Sequence, residues 1–505
     1  MAVFISILPR FCLPYANLVQ DRWFPMTWRI PFSRRAFLKS SAAAMTLAVG
    51  AKADANFVIP PYQATGVRTG EVTPTSAIVW TRKTANISRN QDGIVFTKRG
   101  RSEEALKTPV ADIEGACPGK AGEIQLRYAP EGEFKNVQET DWMPVDEEND
   151  FIYQFALTDL KPDTKYWFES TTRDNGQAHH SIKGSFRTAP LPDAITPIRF
   201  CVMTCQGYPD RDHREGHPIY PAMLKKDPAF LSLTGDLVYY DNDAPSATTA
   251  DLARLHWQRM FSLSRLRETL GKVSAYWLKD DHDTLSDDSW PGRSYGELTF
   301  EEGQKIFRQQ APLSSDSYRT FRWGKDLQIW LTDGRDFRSP NKMPDGPNKT
   351  IWGEEQKAWF KKTVSESDAT WKVLISPTPL VGPDRKGKND NHANAGFQHE
   401  GDELRSWIQE NVPHNFFVIC GDRHWQYHSI HPETGVQEFS VGAASNSHAG
   451  GTPGRNPQYH QFHKVQGGFL NVEVDREDDQ PRIVFQLCDV DGNVSYEKAF
   501  SRPST

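Results

Sequence analysis

Two short polar segments, each directly after an apolar run, constrain this chain more than any other feature. They are Gly235–Tyr239 (GDLVY) and Gly421–His424 (GDRH). Each apolar run is typical of a buried strand, and the carboxyl ends of parallel strands meet at one edge of a sheet. We therefore expect the carboxylate, phenol and imidazole groups of both segments to converge in one crevice, as the ligands of a metal pair must.

The region from 56 to 190 has the pattern of an all-β domain. Short alternating runs rich in β-branched and aromatic residues, such as Ser76–Thr81 and Lys165–Ser170, are separated by turn residues. The segment Leu160–Tyr166 (LKPDTKY) resembles the tyrosine corner of fibronectin type III sandwiches. We expect a fibronectin type III-like β-sandwich that serves as a structural companion of the next domain; independent ligand binding is the alternative.

A second domain is predicted from 191 to 505, after the proline-containing linker Ala189–Ala194. Its apolar runs are Ile198–Met203, Ala229–Leu233, Leu327–Thr332, Val373–Ile375 and Phe416–Cys420, and its segments of helical spacing are Asp251–Leu270, Gly353–Thr363 and Glu400–Glu410. This alternation indicates an α/β sandwich with helices covering the sheets. A strand pair near Phe469–Val474 and Arg482–Gln486 is expected to close the domain.

The first 55 residues have the pattern of a twin-arginine export signal. Arg34 and Arg35 lie within Ser33–Lys39 (SRRAFLK), ahead of a modest apolar stretch, Ala42–Val49, and of small residues suited to cleavage. Met26 is a candidate for a downstream start, and a helix beginning with two solvated arginines is the alternative interpretation. We expect the twin-arginine translocase as a transient partner and a periplasmic or extracellular location.

Charge and hydropathy exclude other classes of protein. A formal charge of -6 and a pI near 6.2 give no sign of a nucleic-acid partner. Loss of the first 55 residues removes seven basic and two acidic side chains, which leaves the exported chain more acidic. No segment past residue 56 is long and apolar enough for stable membrane insertion, and we expect a monomer. Five cysteines remain, an odd number, so at least one is free, buried or bound to a metal.

Three candidate metal ligands follow the first two apolar runs of the second domain. A thiolate at Cys205 could face the crevice, although a buried structural cysteine is the alternative. Gly235 permits a backbone turn that aims Asp236 inward, where its two oxygens could bridge two cations. Tyr239 could reach the same metal, which would need to be a strongly acidic ion such as Fe(III) to displace the phenol proton.

A run of four ionisable residues, Asp280–Asp283, follows another apolar run. Like charges repel in such a run unless a cation or a partner compensates them; a solvated acidic turn is the alternative. In the metal interpretation, Asp281 is a ligand of the second metal. His282 then contacts the substrate or protonates the leaving oxygen, and Asp283 orients His282.

The last candidates are Asp422 and His424, which are two residues apart in the chain. Both can reach one site only if the backbone turns at Gly421 instead of continuing as a strand. A lone Asp-x-His pair is weak evidence. Four such segments at strand ends in one domain, however, favour a two-metal phosphoesterase.

These segments together resemble the motifs of the alkaline phosphatase D (PhoD-like) metallophosphoesterase family, over nearly all of the chain after the export signal. The matches are Thr204-Cys205-Gln206 to Ser-Cys-Gln, Asp236 and Tyr239 to Gly-Asp-x-x-Tyr, Asp280–Asp283 to Asp-Asp-His-Glu, Asp333–Arg338 to Asp-x-Arg-x-Tyr-Arg, and Asp422 and His424 to Gly-Asp-x-His. The chain departs from the family at Thr284–Asp288, where members often carry asparagines near a calcium site. Asp287 or Asp288 could take their place.

The resemblance implies a mixed metal centre. The implied ligands of Fe(III) are Cys205, Asp236, Tyr239 and His424, and those of a neighbouring Ca²⁺, or another divalent ion such as Mg²⁺, are Asp236, Asp281 and Asp422. Thiolate and phenolate suit iron, whereas carboxylates suit Ca²⁺ or Mg²⁺. Arg335 is the candidate for neutralising charge on the phosphoryl oxygens.

The expected activity is hydrolysis of a small or polymeric phosphoester. A hydroxide held by the metals would attack phosphorus in line, and His282 would donate a proton to the departing alkoxide. One alternative is a phosphodiesterase acting on teichoic-acid-like polymers, phospholipid headgroups or nucleotides, which needs an open site. Another is a secreted binding protein with a vestigial metal site, which would predict lost ligands; none of the principal ones is replaced.

Overall fold

Residues 59–133, 135–314 and 316–502 are described by a computed structural model of the chain. The predicted export signal lies outside these residues. Within them, no helix is both long enough and apolar enough to cross a membrane.

The N-terminal domain is a β-sandwich. Its strands are β1 (Val67–Gly70), β2 (Ala77–Arg82), β3 (Gly122–Pro130), β4 (Gln138–Glu139), β5 (Met143–Val145), β6 (Ile152–Leu157), β7 (Lys165–Asp174), β8 (Gln177–Ala178) and β9 (Ile182–Arg187), and a short helix, α1 (Glu103–Lys107), lies between β2 and β3. One sheet contains β1, β2 and β6, and the other is built around β3 and β7. The Tyr166 hydroxyl accepts a hydrogen bond from the Lys161 N–H at 2.9 Å. The predicted tyrosine corner and fibronectin type III-like sandwich are confirmed.

The second domain alternates strands and helices. Its strands are β10 (Ile198–Met203), β11 (Phe230–Thr234), β12 (Ala275–Leu278), β13 (Ser294–Tyr295), β14 (Leu298–Thr299), β15 (Arg319–Trp323), β16 (Leu327–Leu331), β17 (Trp371–Ser376), β18 (Phe416–Cys420), β19 (Gln426–Ile430), β20 (Gln437–Val441), β21 (His460–Lys464), β22 (Gly468–Glu477), β23 (Gln480–Asp489) and β24 (Val494–Ser501). Its helices are α2 (Ile219–Lys225), α3 (Ala250–Phe261), α4 (Ser264–Leu270), α5 (Phe300–Gln310), α6 (Gly353–Glu366) and α7 (Gln398–Asn411). The segment predicted as one helix from Asp251 to Leu270 is two helices, because Leu263 adopts an extended conformation between them.

Two sheets form the centre of this domain. The first has the order β12-β11-β10-β22-β23-β24, and the second has the order β15-β16-β17-β18-β20-β19-β21. Strands β10 to β12 pair in parallel, as do β16 to β18. The predicted closing pair, β22 and β23, is antiparallel and completes the first sheet together with β24.

The two sheets pack face to face, with helices on both outer faces. Phe485 of the first sheet lies 4.9 Å from Phe417 and 4.2 Å from Phe439 of the second, measured between ring centroids. Trp257 of α3 packs on the outer face of the first sheet, and Phe360 of α6 packs on that of the second. The predicted α/β sandwich is confirmed.

The N-terminal domain contacts the second domain through strand β1. The Arg68 guanidinium lies 4.0 Å from the Trp80 ring centroid and 4.2 Å from that of Phe261. The Trp80 indole N–H donates to the Gln309 carbonyl at 2.7 Å. Glu71 pairs with Arg319 at 2.9 Å. Cation–π contacts and buried polar bonds therefore hold the sandwich against α3, α5 and β15.

Candidate metal centre

Five side chains that could bind or orient a cation occupy equivalent positions after parallel strands. Each lies two residues beyond the last residue of its strand: Cys205 after β10, Asp236 after β11, Asp280 after β12, Asp333 after β16 and Asp422 after β18. The carboxyl ends of parallel strands share an edge, so one edge of each sheet presents these groups. The segments Gly235–Tyr239 and Gly421–His424 meet there.

Three of these residues have an unusual backbone conformation. Cys205, Asp236 and Asp422 adopt positive φ angles of 53°, 56° and 59°. The left-handed region costs a residue with a side chain about 1–3 kcal/mol when it is imposed, and such strain clusters at functional sites. The turn expected at Gly421 is therefore made by Asp422 itself.

Asp236 is shared by three groups of potential ligands. Its Oδ2 accepts from the Cys205 thiol at 3.3 Å and from the Tyr239 hydroxyl at 3.2 Å. The ligand atoms of Cys205, Asp236 and His424 lie within 4.8 Å of one another. So do those of Asp236, Asp280 and Asp422, and those of Asp236, Asp281 and His282. Asp236 is therefore common to the candidate ligand groups on both sides of the cluster.

Burial makes this cluster costly without a cation. Burial raises the pKa of Cys205, Asp236 and Tyr239 well above their usual values, and it lowers the pKa of His424 well below the usual value. The buried Oδ1 of Asp236 and Oδ2 of Asp280 have no hydrogen-bond partner among the described residues. Orphaned buried carboxylate oxygens are expensive, and a cation would compensate them. The donor set therefore fits a metal pair.

Gly421 is required by close packing. A Cβ atom there would lie 2.5 Å from the Thr234 carbonyl oxygen and 2.7 Å from the Pro377 carbonyl oxygen. Both neighbours are backbone atoms at the ends of strands β11 and β17, so neither can swing aside. Glycine thus permits β18 to bring Asp422 against the loop that carries Asp236.

The structure corrects the role predicted for Asp283. His282 Nδ1 lies 2.6 Å from Asp241 Oδ1, so Asp241 orients the imidazole. The Asp283 carboxylate instead accepts from the backbone N–H groups of Leu237 at 3.0 Å and Asp280 at 2.7 Å, joining two strand-end loops. Burial raises the pKa of Asp283 to about 8. Spacing in the sequence alone does not show whether Asp241 or Asp283 orients His282.

The second predicted catalytic residue, Arg335, lies between two acidic side chains. Its Nε donates to Asp280 Oδ1 at 2.5 Å, and its Nη2 lies 3.6 Å from Asp281 Oδ1. Burial opposes ionisation of Asp281, but the charges of Arg335 and His282 hold its pKa below the usual value. Arg335 Nη1 is buried and has no partner among the described residues. One donor of the buried guanidinium is therefore left unsatisfied.

The loop 382–396 is anchored beside the cluster by charged groups. Lys388 Nζ lies 2.9 Å from Asp390 Oδ2 and 3.2 Å from Asp288 Oδ1. Arg423, next to Asp422, reaches Asp384 in the same loop at 2.6 Å. The alternative ligands Asp287 and Asp288 group with Asp281 within 4.8 Å. They form a further acidic patch, which Lys388 partly neutralises.

Glu400 clamps two loops beside the site. Its carboxylate lies 2.8 Å from His392 Nε2, accepts from the Ile351 N–H at 2.6 Å and also bonds the Thr350 hydroxyl. Burial alone would raise the pKa of Glu400, but the hydrogen bond from His392 and the other bonds lower it to about 2. The clamp joins helix α7 to the segments 339–351 and 382–396.

We expect Glu400→Gln to weaken the protein above pH 5. A carboxylate with a lowered pKa stabilises the fold above its unfolded pKa, and this stability is lost as pH falls from about 4.5 towards about 2. The shift corresponds to a loss on the order of 3 kcal/mol in the free energy of unfolding at pH 7. Denaturant unfolding should show the difference between the variant and the wild type narrowing below pH 4.5. Glu410→Gln, an exposed change on the same helix, should leave the free energy of unfolding unchanged. Equal losses of stability in the two variants would show that the Glu400 contacts do not stabilise the fold.

The described part of the chain contains five cysteines. Cys117, Cys201, Cys205, Cys420 and Cys488 are all free and buried among the described residues. The expectation of at least one unpaired thiol is confirmed. Only Cys205 lies in a group of potential metal ligands.

The sequence pattern does not predict three residues of the site. Asp280 belongs to the run Asp280–Asp283, but the run assigns it no ligand role. Asp241 lies five residues after Asp236 and belongs to no recognisable motif. His448 comes from an irregular segment after β20; its ring centroid lies 4.3 Å from that of His424, and its Nδ1 lies 3.3 Å from Asp210 Oδ2. The sequence around His448 has no strand-end pattern that could reveal it.

The layered sheets, with buried potential metal ligands at their strand ends, define a metallophosphoesterase fold. The pattern of the PhoD-like phosphatase family matches residues 200–471, and that of the PhoD-like phosphatase N-terminal domain matches residues 50–190. The chain belongs to the PhoD-like phosphatase family and is therefore a phosphoric ester hydrolase.

Solved structures share the fold. One described as "Structure of PhoD" has a TM-score of 0.66 and 17% identity, covering 88% of this chain and 90% of that one. The purple acid phosphatase PPD1 from seeds of yellow lupin (Lupinus luteus) has a TM-score of 0.61 and 14% identity, covering 86% of this chain and 74% of that one. No curated protein sequence matches the chain.

Proposed function

We propose that this PhoD-like phosphatase hydrolyses phosphate esters with a mixed metal pair. Asp236 carries the proposal, because it belongs to three groups of potential ligands and has a buried oxygen without a hydrogen-bond partner among the described residues. The proposed Fe(III) ligands are Cys205, Asp236, Tyr239 and His424, and the proposed ligands of Ca²⁺ or Mg²⁺ are Asp236, Asp281 and Asp422. Asp280 is added to the second group on the basis of its distance to Asp236 and Asp422.

The protein's own residues would orient the substrate and move the proton. The bound cations would supply a nucleophilic hydroxide from water and neutralise charge on the phosphoryl oxygens. Arg335 holds Asp280 and Asp281 in place and keeps Nη1 for a phosphoryl oxygen. Asp241 takes up Nδ1 of His282, which leaves Nε2 to donate a proton to the departing alkoxide.

We also propose that the chain acts outside the cytoplasm. The pair Arg34-Arg35, followed by a modest apolar stretch, supports export by the twin-arginine translocase. That route carries folded proteins and suits an enzyme that acquires its metal before export. The expected product is an acidic periplasmic or extracellular monomer.

The test is hydrolysis of two p-nitrophenyl esters by protein whose metal content is measured. Purified exported protein should contain iron and a divalent ion, and should release p-nitrophenol from the phosphate monoester, the bis-p-nitrophenyl diester or both. Removal of the metals should abolish release, and their return should restore it. Metal-loaded protein that cleaves neither ester would contradict the proposal and favour a binding role.

A further inference from the structure

A groove of about 410 Å³ lies beside the metal centre. This volume is in the range of ligand sites. One wall comes from the N-terminal domain, at Ile94, Val95 and Phe96, and the facing wall comes from the second domain, including Tyr208 and Arg211. Ile94 and Val95 are 45% and 67% exposed, so an apolar surface is left open to solvent.

The groove continues directly from the metal-binding loops. Tyr208 follows Cys205 by three residues, and Asn242, another lining residue, follows Tyr239 by three. Asp210 also lines the groove and contacts His448, whose ring packs on the candidate ligand His424. One side chain therefore separates the groove from the metal centre.

The second-domain wall carries two arginines that pack on an aromatic ring. The guanidinium groups of Arg211 and Arg259 lie 4.2 Å and 4.7 Å from the ring centroid of Tyr208. The Nε atom of each is buried without a hydrogen-bond partner among the described residues. Arg259 is 4% exposed. An exposed apolar wall opposite arginine and tyrosine side chains suits a ligand with both an apolar body and acceptor oxygens.

We propose that this groove binds the second ester substituent of a phosphodiester, and that Val95 is a specificity-determining residue. The inference rests on the proposed function and deepens it, because a monoester has no group to fill the groove. The substituent would place its apolar part against Ile94 and Val95 and its acceptor oxygens towards Arg211. The N-terminal domain would then take part in substrate selection.

The test compares two esters that share a leaving group. Bis-p-nitrophenyl phosphate differs from p-nitrophenyl phosphate by one aromatic ring with acceptor oxygens, which matches the groove. Val95→Glu should lower kcat/KM for the diester about tenfold or more and leave the monoester nearly unchanged. If Val95→Glu acted only by charge repulsion, it would lower kcat/KM more for the doubly charged monoester than for the diester. A larger loss for the diester therefore indicates that its second substituent binds in the groove. Val95→Ile should retain diester activity, and Val95→Ser should lose it in part.

Ile87→Glu is the matched control, because Ile87 is 48% exposed on the same domain and does not line the groove. It should leave both esters unchanged. The backbone of Ile94 bonds Asp112 and Glu114, so the wall stays in place when the side chain of Val95 changes. Equal effects of Val95→Glu on both esters, or none on either, would overturn the proposal. Wild-type protein that cleaves only the monoester would also overturn it while the proposed function stands, whereas metal-loaded wild type inactive on both esters would contradict the proposed function itself.

Discussion

Asp236→Asn is expected to abolish phosphoester hydrolysis and to empty the metal centre. The carboxylate lies in three groups of potential ligands, so its replacement by an amide removes the negative charge that both cations would share. Loss of several kcal/mol of transition-state stabilisation corresponds to a fall in kcat/KM of at least about 10³-fold. Iron and the divalent ion should both fall well below the wild-type content.

The same substitution should leave the metal-free protein at least as stable as the wild type. Burial raises the pKa of Asp236, and one of its oxygens has no hydrogen-bond partner in the described part of the chain, so the amide removes a cost of folding. Asparagine also tolerates the left-handed backbone. Asp478→Asn is the matched control, because Asp478 is exposed and has a φ of 49°. A variant at Asp236 that keeps a tenth of the activity would exclude the bridging role.

Gly421→Ala is expected to damage both stability and activity. The new methyl group would lie 2.5 Å from the Thr234 carbonyl oxygen and 2.7 Å from that of Pro377, so the ends of strands must separate. Overpacking of this kind costs about 1–3 kcal/mol or more. Asp422 and His424 would move with the strand, and a displacement of about 1 Å can cost about 10²-fold in rate. Calorimetry and kcat/KM for p-nitrophenyl phosphate measure the two effects.

Gly450→Ala is the control for this substitution. A Cβ atom at Gly450 would meet nothing within 4 Å, and its backbone lies outside the left-handed region. Its N–H donates to the His424 carbonyl at 3.0 Å, and alanine keeps that bond. The control should match the wild type in Tm and activity. A Gly421→Ala protein that also matched the wild type would show that the close approach of these strands does not position the site.

Local sequence patterns predicted most of the architecture, because apolar runs indicate buried strands and the polar residues after them indicate where the strands end. Strand β18 has the predicted bounds, Phe416–Cys420, since its run is fully apolar. The tyrosine corner joins Lys161 and Tyr166, which are close in the chain, so its hydrogen bond could be expected from the segment Leu160–Tyr166 alone. Helix breaks were harder: the division at Leu263 depends on one residue's backbone angles within an otherwise helical spacing.

The site was less predictable where contacts join distant segments. Asp283 is adjacent to His282 in the chain, but its carboxylate is used by the backbone of Leu237, and Asp241 from another loop reaches the imidazole. His448 lies against His424 only because the segment after β20 returns to the same edge of the sheet. Such pairings arise from tertiary structure, and no spacing of residue types encodes them.

Anomalous X-ray diffraction from crystals of the exported protein, collected on both sides of the iron absorption edge, would locate the bound metals. We expect an iron peak among Cys205 Sγ, Asp236 Oδ2 and the His424 imidazole, with a second cation next to Asp236. An occupied site elsewhere, or an active protein without a metal between these ligands, would contradict this expectation.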